Sequence, residues 1–328
     1  TGAAGAVYLG GGGQRGASAA GPAPEVSVLV VGYNSMDHLP AAIAAIAPAC
    51  AGHAFEVHFI ENGEAASGAW LAAQHPAVIV HPPRGNIGFA AACNLLAEAA
   101  RGRWLLLLNP DTRAQPGAIA ALLEAAAAEP GYAILGGAAI DPAGRALASS
   151  RLAFPTPARL ARALLPAARA CPPVDPGAGV IPVDAVSGGF MLIARDAWQA
   201  LGGFDPRFFL YAEELDLCRR AAAGGWRTGL VPGARIFHDV GSGAPRSPAR
   251  LVLQMRGIAT YYRKHLNVLE ARLCLLLHWL GCIERLAVAG LRAPFDRRQA
   301  MAARAFARVA LCPQRWVGGY PASGGRAP

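Results

Sequence analysis

The chain has 328 residues, 54% of them hydrophobic, and a formal net charge of +9. That length accommodates one large α/β domain plus an appendage, and the apolar fraction excludes a disordered or fibrous protein. The charge is carried almost wholly by arginine, with Lys264 the only lysine, which is unlike the lysine-rich tracts of nucleic-acid binders.

Residues 1–24 mix glycine, alanine and proline without a basic-then-apolar order, so they read as a flexible linker and show no secretory signal. Within them "YLGGGGQRG" (Tyr8–Gly16) has the glycines of a phosphate loop. It runs into "ASAAGPAPE", where prolines deny the helix that such a loop must feed.

From Glu25 the pattern alternates. "VSVLVV" (Val26–Val31) is a short apolar, β-branched run closed by Gly32, and "DHLPAAIAAIA" carries apolar residues at helical spacing. The alternation repeats through "FEVHFIE" (Phe55–Glu61), an alanine-rich helix near Ser67–Gln74, "AVIVH" (Ala77–His81), a helix from Phe89 to Arg101, and the strand Trp104–Leu108. Strands alternating with helices imply a doubly wound, mainly parallel sheet. The loops "GYNS", "ENGE", "PRGNIGF" and "NPDT" then share the carboxyl edge of the strands, where such sheets bind ligands. In "LLLLNPDT" Pro110 must stop the strand, leaving Asp111 at that edge as a carboxylate for substrate or metal, or as a plain turn residue.

Residues 144–182 are irregular and proline-rich, with one helical patch near Ala158–Ala170, as in a long lid-like excursion. Next, Gly188 and Gly189 let backbone approach a ligand, Phe190–Ile193 form a buried strand, and Asp196 caps a helix ending at Gly202 and Gly203. "YAEELDLCRR" puts Glu213, Glu214 and Asp216 in the first turn of a helix, where the dipole favours acids. Glu214 shares a face with Leu217 and Cys218 and is expected to look inward, whereas Glu213 lies nearer the Asp216 and Arg220 face. A partly desolvated carboxylate has a raised pKa and makes a better general base. His238, just past an apolar strand, is either structural or joins Asp111 in an oxygen and nitrogen site for Mg²⁺ or Mn²⁺.

Residues 246–328 form a basic, helical region with sparse aromatics, better suited to an anionic membrane face than to nucleic acid. Its most apolar stretch, Leu273–Ile283, falls short of the roughly 18 residues of a membrane span, so it reads as an amphipathic helix lying on a membrane or as a buried helix. The seven cysteines are scattered without a CxxC pair and read as reduced, cytosolic thiols.

Taken in order, "VGYNS", "ENGE", "NIGFAAACN", "LLLLNPDT", "SGGFMLIAR", "GGFDPRFFLYAEELDLCRR" and "VPGARIFH" resemble the GT-A-fold glycosyltransferases of family two, in particular the rhamnosyltransferase-like branch, over about Glu25–Gly243. The resemblance implies a GT-A domain over 25–245 and the helical appendage over 246–328. It implies sugar transfer from a nucleotide-diphosphate donor, dTDP-rhamnose by the branch resembled, to a hydroxyl of a glycan or lipid-linked acceptor, with inversion. By similarity Asp111 and His238 would hold Mg²⁺ or Mn²⁺ at the leaving diphosphate, and Glu214, with Glu213 beside it, would deprotonate the acceptor. Tyr33 and Asn34 would line the nucleotide, and Glu61 and Asn62 would contact base or ribose. Asn86, Gly88, Phe89 and Asn94 would shape the pocket, and Gly188 and Gly189 would border sugar and acceptor.

Three positions depart from the family pattern. Asn109 stands for the first acid of DxD, Glu61 for an aspartate, and Glu214 for a frequent aspartate. The family reading places the enzyme in the cytosol at the inner membrane face, with no nucleic-acid partner. Its rivals are a noncatalytic nucleotide- or carbohydrate-binding protein of the same fold and a sugar nucleotidyltransferase.

Overall fold

A computed structural model describes residues 23–64, 66–141, 144, 147, 150–165, 174–238 and 247–321. The glycine-rich start, Cys171, the end of the proposed 158–170 helical patch and Arg246 lie outside the described residues.

Eleven strands occur among them: β1 (Val26–Gly32), β2 (Phe55–Glu61), β3 (Ile79–Val80), β4 (Trp104–Leu108), β5 (Thr112–Ala114), β6 (Tyr132–Ile140), β7 (Arg151–Leu152), β8 (Ile181–Pro182), β9 (Ala185–Val186), β10 (Phe190–Ala194) and β11 (Arg227–His238). The helices are α1 (Leu39–Cys50), α2 (Ala66–Gln74), α3 (Phe89–Ala99), α4 (Ala118–Ala128), α5 (Pro157–Ala163), α6 (Arg195–Leu201), α7 (Glu213–Ala223), α8 (Pro248–His265), α9 (Val268–Arg292) and α10 (Arg297–Ala310).

The chain divides into two compact units. One comprises the chain up to Ala153 with Pro173–Phe204 and Leu217–His238; the other comprises Phe154–Pro172, Asp205–Asp216 and the chain from Asp239 onward.

In the first unit the strands join in the order β3-β2-β1-β4-β10-β6-β11-β5, with β8 on β11. Strands β3, β2, β1 and β4 are mutually parallel, β10 runs antiparallel between β4 and β6, and β11 returns parallel to β6. Every residue of β1, β2 and β4 is buried, as expected of strands covered on both faces by helices. Alternate residues Val26, Val28 and Val30 join Phe55, Val57 and Phe59 in the main core with Leu39, Ile43 and Ile46 of α1. The sheet is therefore mixed but mainly parallel around the loops of interest, and β3 is only two residues long where the sequence pattern suggested five. Asp196 sits inside the first turn of α6 and Ala194 occupies the cap, so the expected capping role is corrected; Gly202 does close the helix with a φ of 71°.

The second unit is helical. Each of its long helices starts with a side-chain cap: Ser247 accepts from Arg250 N–H, Asn267 from Glu270 N–H and Asp296 from Arg298 N–H. Its core gathers Leu251, Met255, Ala259, Cys282, Ala305, Val309 and Trp316. The apolar stretch around Leu273–Ile283 belongs to one continuous 25-residue helix, α9, which is long and apolar enough by composition to cross a membrane. Only 22% of its most apolar window is buried, which corrects the buried-helix alternative.

Candidate active site

The carboxyl ends of β1 and β2 set the first corner. Asn34 turns the chain with a φ of 51°, one of few non-glycine residues in the left-handed region, and Tyr33 beside it is 54% exposed. Glu61 ends β2 fully buried. Its Oε1 accepts from Gly63 N–H at 2.8 Å and Asn34 N–H at 3.3 Å, so one carboxylate oxygen stitches the two loops together. A side chain at Gly63 would force the two loops to shift, because its Cβ would lie 2.9 Å from the Asn34 backbone nitrogen. The other oxygen, Glu61 Oε2, is buried without a hydrogen-bond partner, an arrangement that costs free energy unless a ligand donates to it. Asn62 is alike: Nδ2 donates to Gly88 O at 3.0 Å while Oδ1 is buried and unmatched. Ser35 Oγ, not singled out from sequence, is a third buried polar atom without a partner in these loops.

Glu61 also lines a cleft of about 260 Å³ with Gly68, Ala69, Val80, His81, Pro82 and Pro83. His81 belonged only to a strand in the sequence pattern, and nothing there marked it as a site residue. Its Nε2 lies 3.0 Å from His58 Nδ1, and burial, then the charge of His58, lowers its pKa, so it is neutral at neutral pH.

Asn86 accepts from Gly88 N–H at 3.3 Å, and Gly88 enters α3 with a φ of 85°. Phe89 packs on Phe204, with ring centroids 6.2 Å apart. Asn94 does not face a pocket with a free amide: its Nδ2 donates to Phe204 O at 2.8 Å and its Oδ1 accepts from Phe204 N–H at 2.9 Å. Arg220 donates to Leu201 O and Gly203 O, holding the same turn from α7. Asn94 thus clamps the "GGF" turn.

After β4, Asn109 donates its N–H to Gly189 O at 3.0 Å, and Asn109 O accepts from Thr112 N–H and Oγ. Asp111 is carried half-buried on this closed turn. Thr112 then pairs with His238 in the β5–β11 ladder, which brings the His238 backbone to the same edge as Asp111; the His238 side chain lies outside the described residues. Among the described residues no three His, Cys, Asp or Glu groups gather into a metal cage. Asp111 is the one carboxylate on this turn, and it would be the protein's oxygen ligand to a Mg²⁺ or Mn²⁺ ion there.

In the second unit, Asp205–Asp216 leads into α7. Tyr211 and Ala212 both adopt left-handed backbone, with φ of 72° and 69°, immediately before Glu213 and Glu214. Such conformations cost on the order of 1–3 kcal/mol each and cluster where geometry serves a function. Glu213 is 4% exposed and Glu214 half-buried, the reverse of the ranking expected from helix faces, because the left-handed turn rather than an ideal helix sets the first residues' directions. Each carries a buried Oε2 with no hydrogen-bond partner. Burial raises the Glu213 pKa well above the usual range, and the Glu214 charge beside it adds to the rise. Burial pushes Glu214 up to about 7, so it is part protonated at neutral pH rather than fully ionised as its reference value would suggest.

Residues 22–257 match the family model described as "Glycosyltransferase like family 2". An N-acetylglucosaminyl-diphospho-decaprenol L-rhamnosyltransferase of Mycobacterium tuberculosis is 30% identical over 244 residues, 68% of this chain and 78% of that protein. Rhamnosyltransferase WbbL of Escherichia coli is 38% identical over 56 residues, 17% of this chain and 21% of that one. The mannosyltransferase PcManGT of Pyrobaculum calidifontis, solved with GDP-Man and Mn²⁺, shares the fold with a TM-score of 0.54 at 14% identity, covering 89% of this chain and 88% of its own. In sequence the matched span takes in the buried acids, the Asn109–Thr112 turn and the β1–β2 loops, and the chain belongs to glycosyltransferase family 2, among its rhamnosyltransferase-like members.

Proposed function

We propose that this glycosyltransferase inverts the anomeric carbon as it moves rhamnose from dTDP-rhamnose to a hydroxyl of a lipid-linked, N-acetylglucosamine-bearing acceptor. The observation that carries the reading is the Glu213–Glu214 pair: two desolvated carboxylates with one pKa near 7, placed by a strained turn. A base poised near working pH is what deprotonation of an alcohol requires. Glu214 takes the acceptor proton while the acceptor oxygen bonds to the anomeric carbon from the face opposite the diphosphate. The bond from that carbon to the diphosphate oxygen breaks, and the electron pair leaves with the diphosphate.

Glu61 and Asn62 bind the nucleoside with their unmatched buried oxygens, which accept from a base N–H or a ribose hydroxyl. His81 and the prolines wall the cleft beside Glu61. Asp111, with His238, is the group to hold Mg²⁺ or Mn²⁺, which supplies charge neutralisation to the departing diphosphate when bound. The M. tuberculosis relative, named for a decaprenol-linked sugar, supports the lipid-linked acceptor.

The membrane face of the reading rests on α9 and the turn after it. Leu269, Leu273, Leu276, Leu280 and Ile283 are all exposed and recur at three- and four-residue spacing along one side of the helix, with exposed Leu291 about two turns further along the same side. Phe295 is 90% exposed, next to exposed Arg292, Arg297 and Arg298. An apolar stripe ending among arginines suits the interface of an anionic leaflet.

The test is calorimetric titration with dTDP, UDP and GDP, each with and without Mg²⁺ or Mn²⁺, followed by transfer from the bound donor to a polyprenyl-diphospho-N-acetylglucosamine. Metal-enhanced binding of dTDP that Asp111→Ala weakens at least about tenfold is expected, a loss of about 1.4 kcal/mol. Binding without transfer would favour the noncatalytic alternative. Flotation with phosphatidylglycerol vesicles checks the membrane placement, which fails if the protein stays at the bottom of the gradient.

A further inference from the structure

The segment Asp205–Asp216 is gripped by the helices that follow it in the chain, and we propose that Lys264 is a positioning residue for the Glu213–Glu214 pair. The proposal rests on the reading of Glu214 as the acceptor's base.

Lys264 Nζ lies 2.5 Å from Asp205 Oδ2 and 2.5 Å from Asp216 Oδ1. One ammonium therefore pins both ends of the segment that delivers the acids. His265 Nε2 lies 2.7 Å from the same Asp216 oxygen, and Asp216 is fully buried. Arg207 chelates Asp205 from the other side, through Nε and Nη2. Burial alone would raise the Asp205 pKa, but the hydrogen bonds from Arg207 and Lys264 overcome it and hold that carboxyl well below the usual range.

The middle of the segment is gripped as firmly. A Cβ on Gly257 of α8 would lie 2.1 Å from Tyr211 O, so α8 meets the left-handed turn at backbone distance. The Tyr320 hydroxyl is 2.8 Å from Leu210 O and 3.0 Å from Leu253 O, bridging the segment to α8.

Left-handed Tyr211 and Ala212 will not persist unless their surroundings over-determine them. The anchors at Asp205, Leu210, Tyr211 and Asp216 do so, and three of the four come from α8. A lysine suits the double anchor better than the arginine used everywhere else in the chain, because a compact ammonium can aim separate N–H donors at two carboxylates. The C-terminal helices thereby become part of the catalytic apparatus. Their effect reaches the reaction only through the acids they hold in register.

Full-length Lys264→Met should keep dTDP affinity within about twofold of the parent while kcat falls roughly 30-fold, the scale of a sub-ångström misplacement. Lys264→Arg, which restores a cation but not a compact one that can reach both carboxylates, should recover only part of that loss. Glu214→Gln, made in parallel, tests the underlying reading: full activity there removes the base and the proposal with it. Inactive Glu214→Gln alongside a folded Lys264→Met whose kcat is within about threefold of the parent overturns the positioning role alone. So does a Lys264→Met that loses nucleotide affinity in step with kcat. Should Lys264→Met fail to fold, Tyr320→Phe carries the test by deleting a single hydroxyl. A several-fold fall in kcat at unchanged dTDP affinity is expected, and an unchanged kcat overturns the proposal.

Discussion

The two ends of strand β2 each bury a glutamate, and the two are treated in opposite ways. Glu56, near the amino end, spends both oxygens on protein donors: Ser27 Oγ at 2.7 Å and Arg101 N–H at 2.6 Å on one, and the Arg101 guanidinium on the other. His58 approaches to 3.2 Å. Burial pushes its pKa up, but hydrogen bonds from His58, Ser27 and Arg101 more than reverse that and bring it down to about 2. Glu61, at the carboxyl end, satisfies one oxygen and leaves the other without a partner. Burial alone therefore does not mark a functional acid. What separates the two is whether the protein's own donors are used up, and by that measure Glu213 and Glu214 fall with Glu61.

The largest effect should come from Glu214. Glu214→Gln removes the base and is expected to lower kcat by about 10³-fold with nucleotide affinity unchanged. In the parent, kcat should rise with pH through about 7, because only the ionised carboxylate accepts the proton. Linkage adds a stability signature. A carboxyl whose folded pKa is raised holds its proton more tightly folded than unfolded, so its ionisation destabilises the protein as pH climbs from the ordinary range toward 7. Glu214→Gln should flatten that decline in thermal melts, and a variant with the parent's full rate would dissolve the distinction between satisfied and unsatisfied acids.

Glu56 should fail in the opposite manner. Glu56→Gln leaves Arg101 and His58 without their anion and should lower stability by about 2–3 kcal/mol, read as a lower Tm, with kcat preserved in whatever fraction is folded. The sign with pH is also opposite. A depressed carboxyl pKa stabilises above the unfolded value and loses that contribution as pH falls toward about 2, so the parent's acid melting should lie at lower pH than the variant's.

Much of this was legible in sequence. The apolar β-branched runs, the glycine and asparagine at strand ends, and the acids opening α7 placed β1, β2, β4, the loop edge and the start of α7. The illegible parts turn on partners distant in the chain. Asn94 and Phe204 are 110 residues apart, so nothing local separates a pocket asparagine from a clamp. Which of Glu213 and Glu214 is the more buried depends on left-handed Tyr211 and Ala212, non-glycine residues that no propensity assigns to that conformation. Nothing local sets Glu56 apart from Glu61 either, since both lie in one strand whose every residue is buried. Glu56 differs because Ser27 and Arg101, remote in sequence, complete its shell.

The smallest expected effect sharpens the comparison most. Glu61→Gln is nearly isosteric and can keep an oxygen toward Gly63 N–H and Asn34 N–H, so the stitch between the β1 and β2 loops should survive with stability within about 1 kcal/mol of the parent. What changes is the other terminal atom, from an acceptor to an N–H donor. A base N–H or ribose hydroxyl that donates to Glu61 Oε2 would then meet a donor, and dTDP affinity should fall about tenfold, equivalent to about 1.4 kcal/mol. The paired measurement is decisive because the same substitution is made at both ends of one strand: at Glu56 it should move Tm and spare affinity, and at Glu61 it should move affinity and spare Tm. Unchanged dTDP binding in a folded Glu61→Gln would show that the unmatched oxygen does not meet the nucleoside, and the cleft beside His81 would lose its assignment as the base pocket.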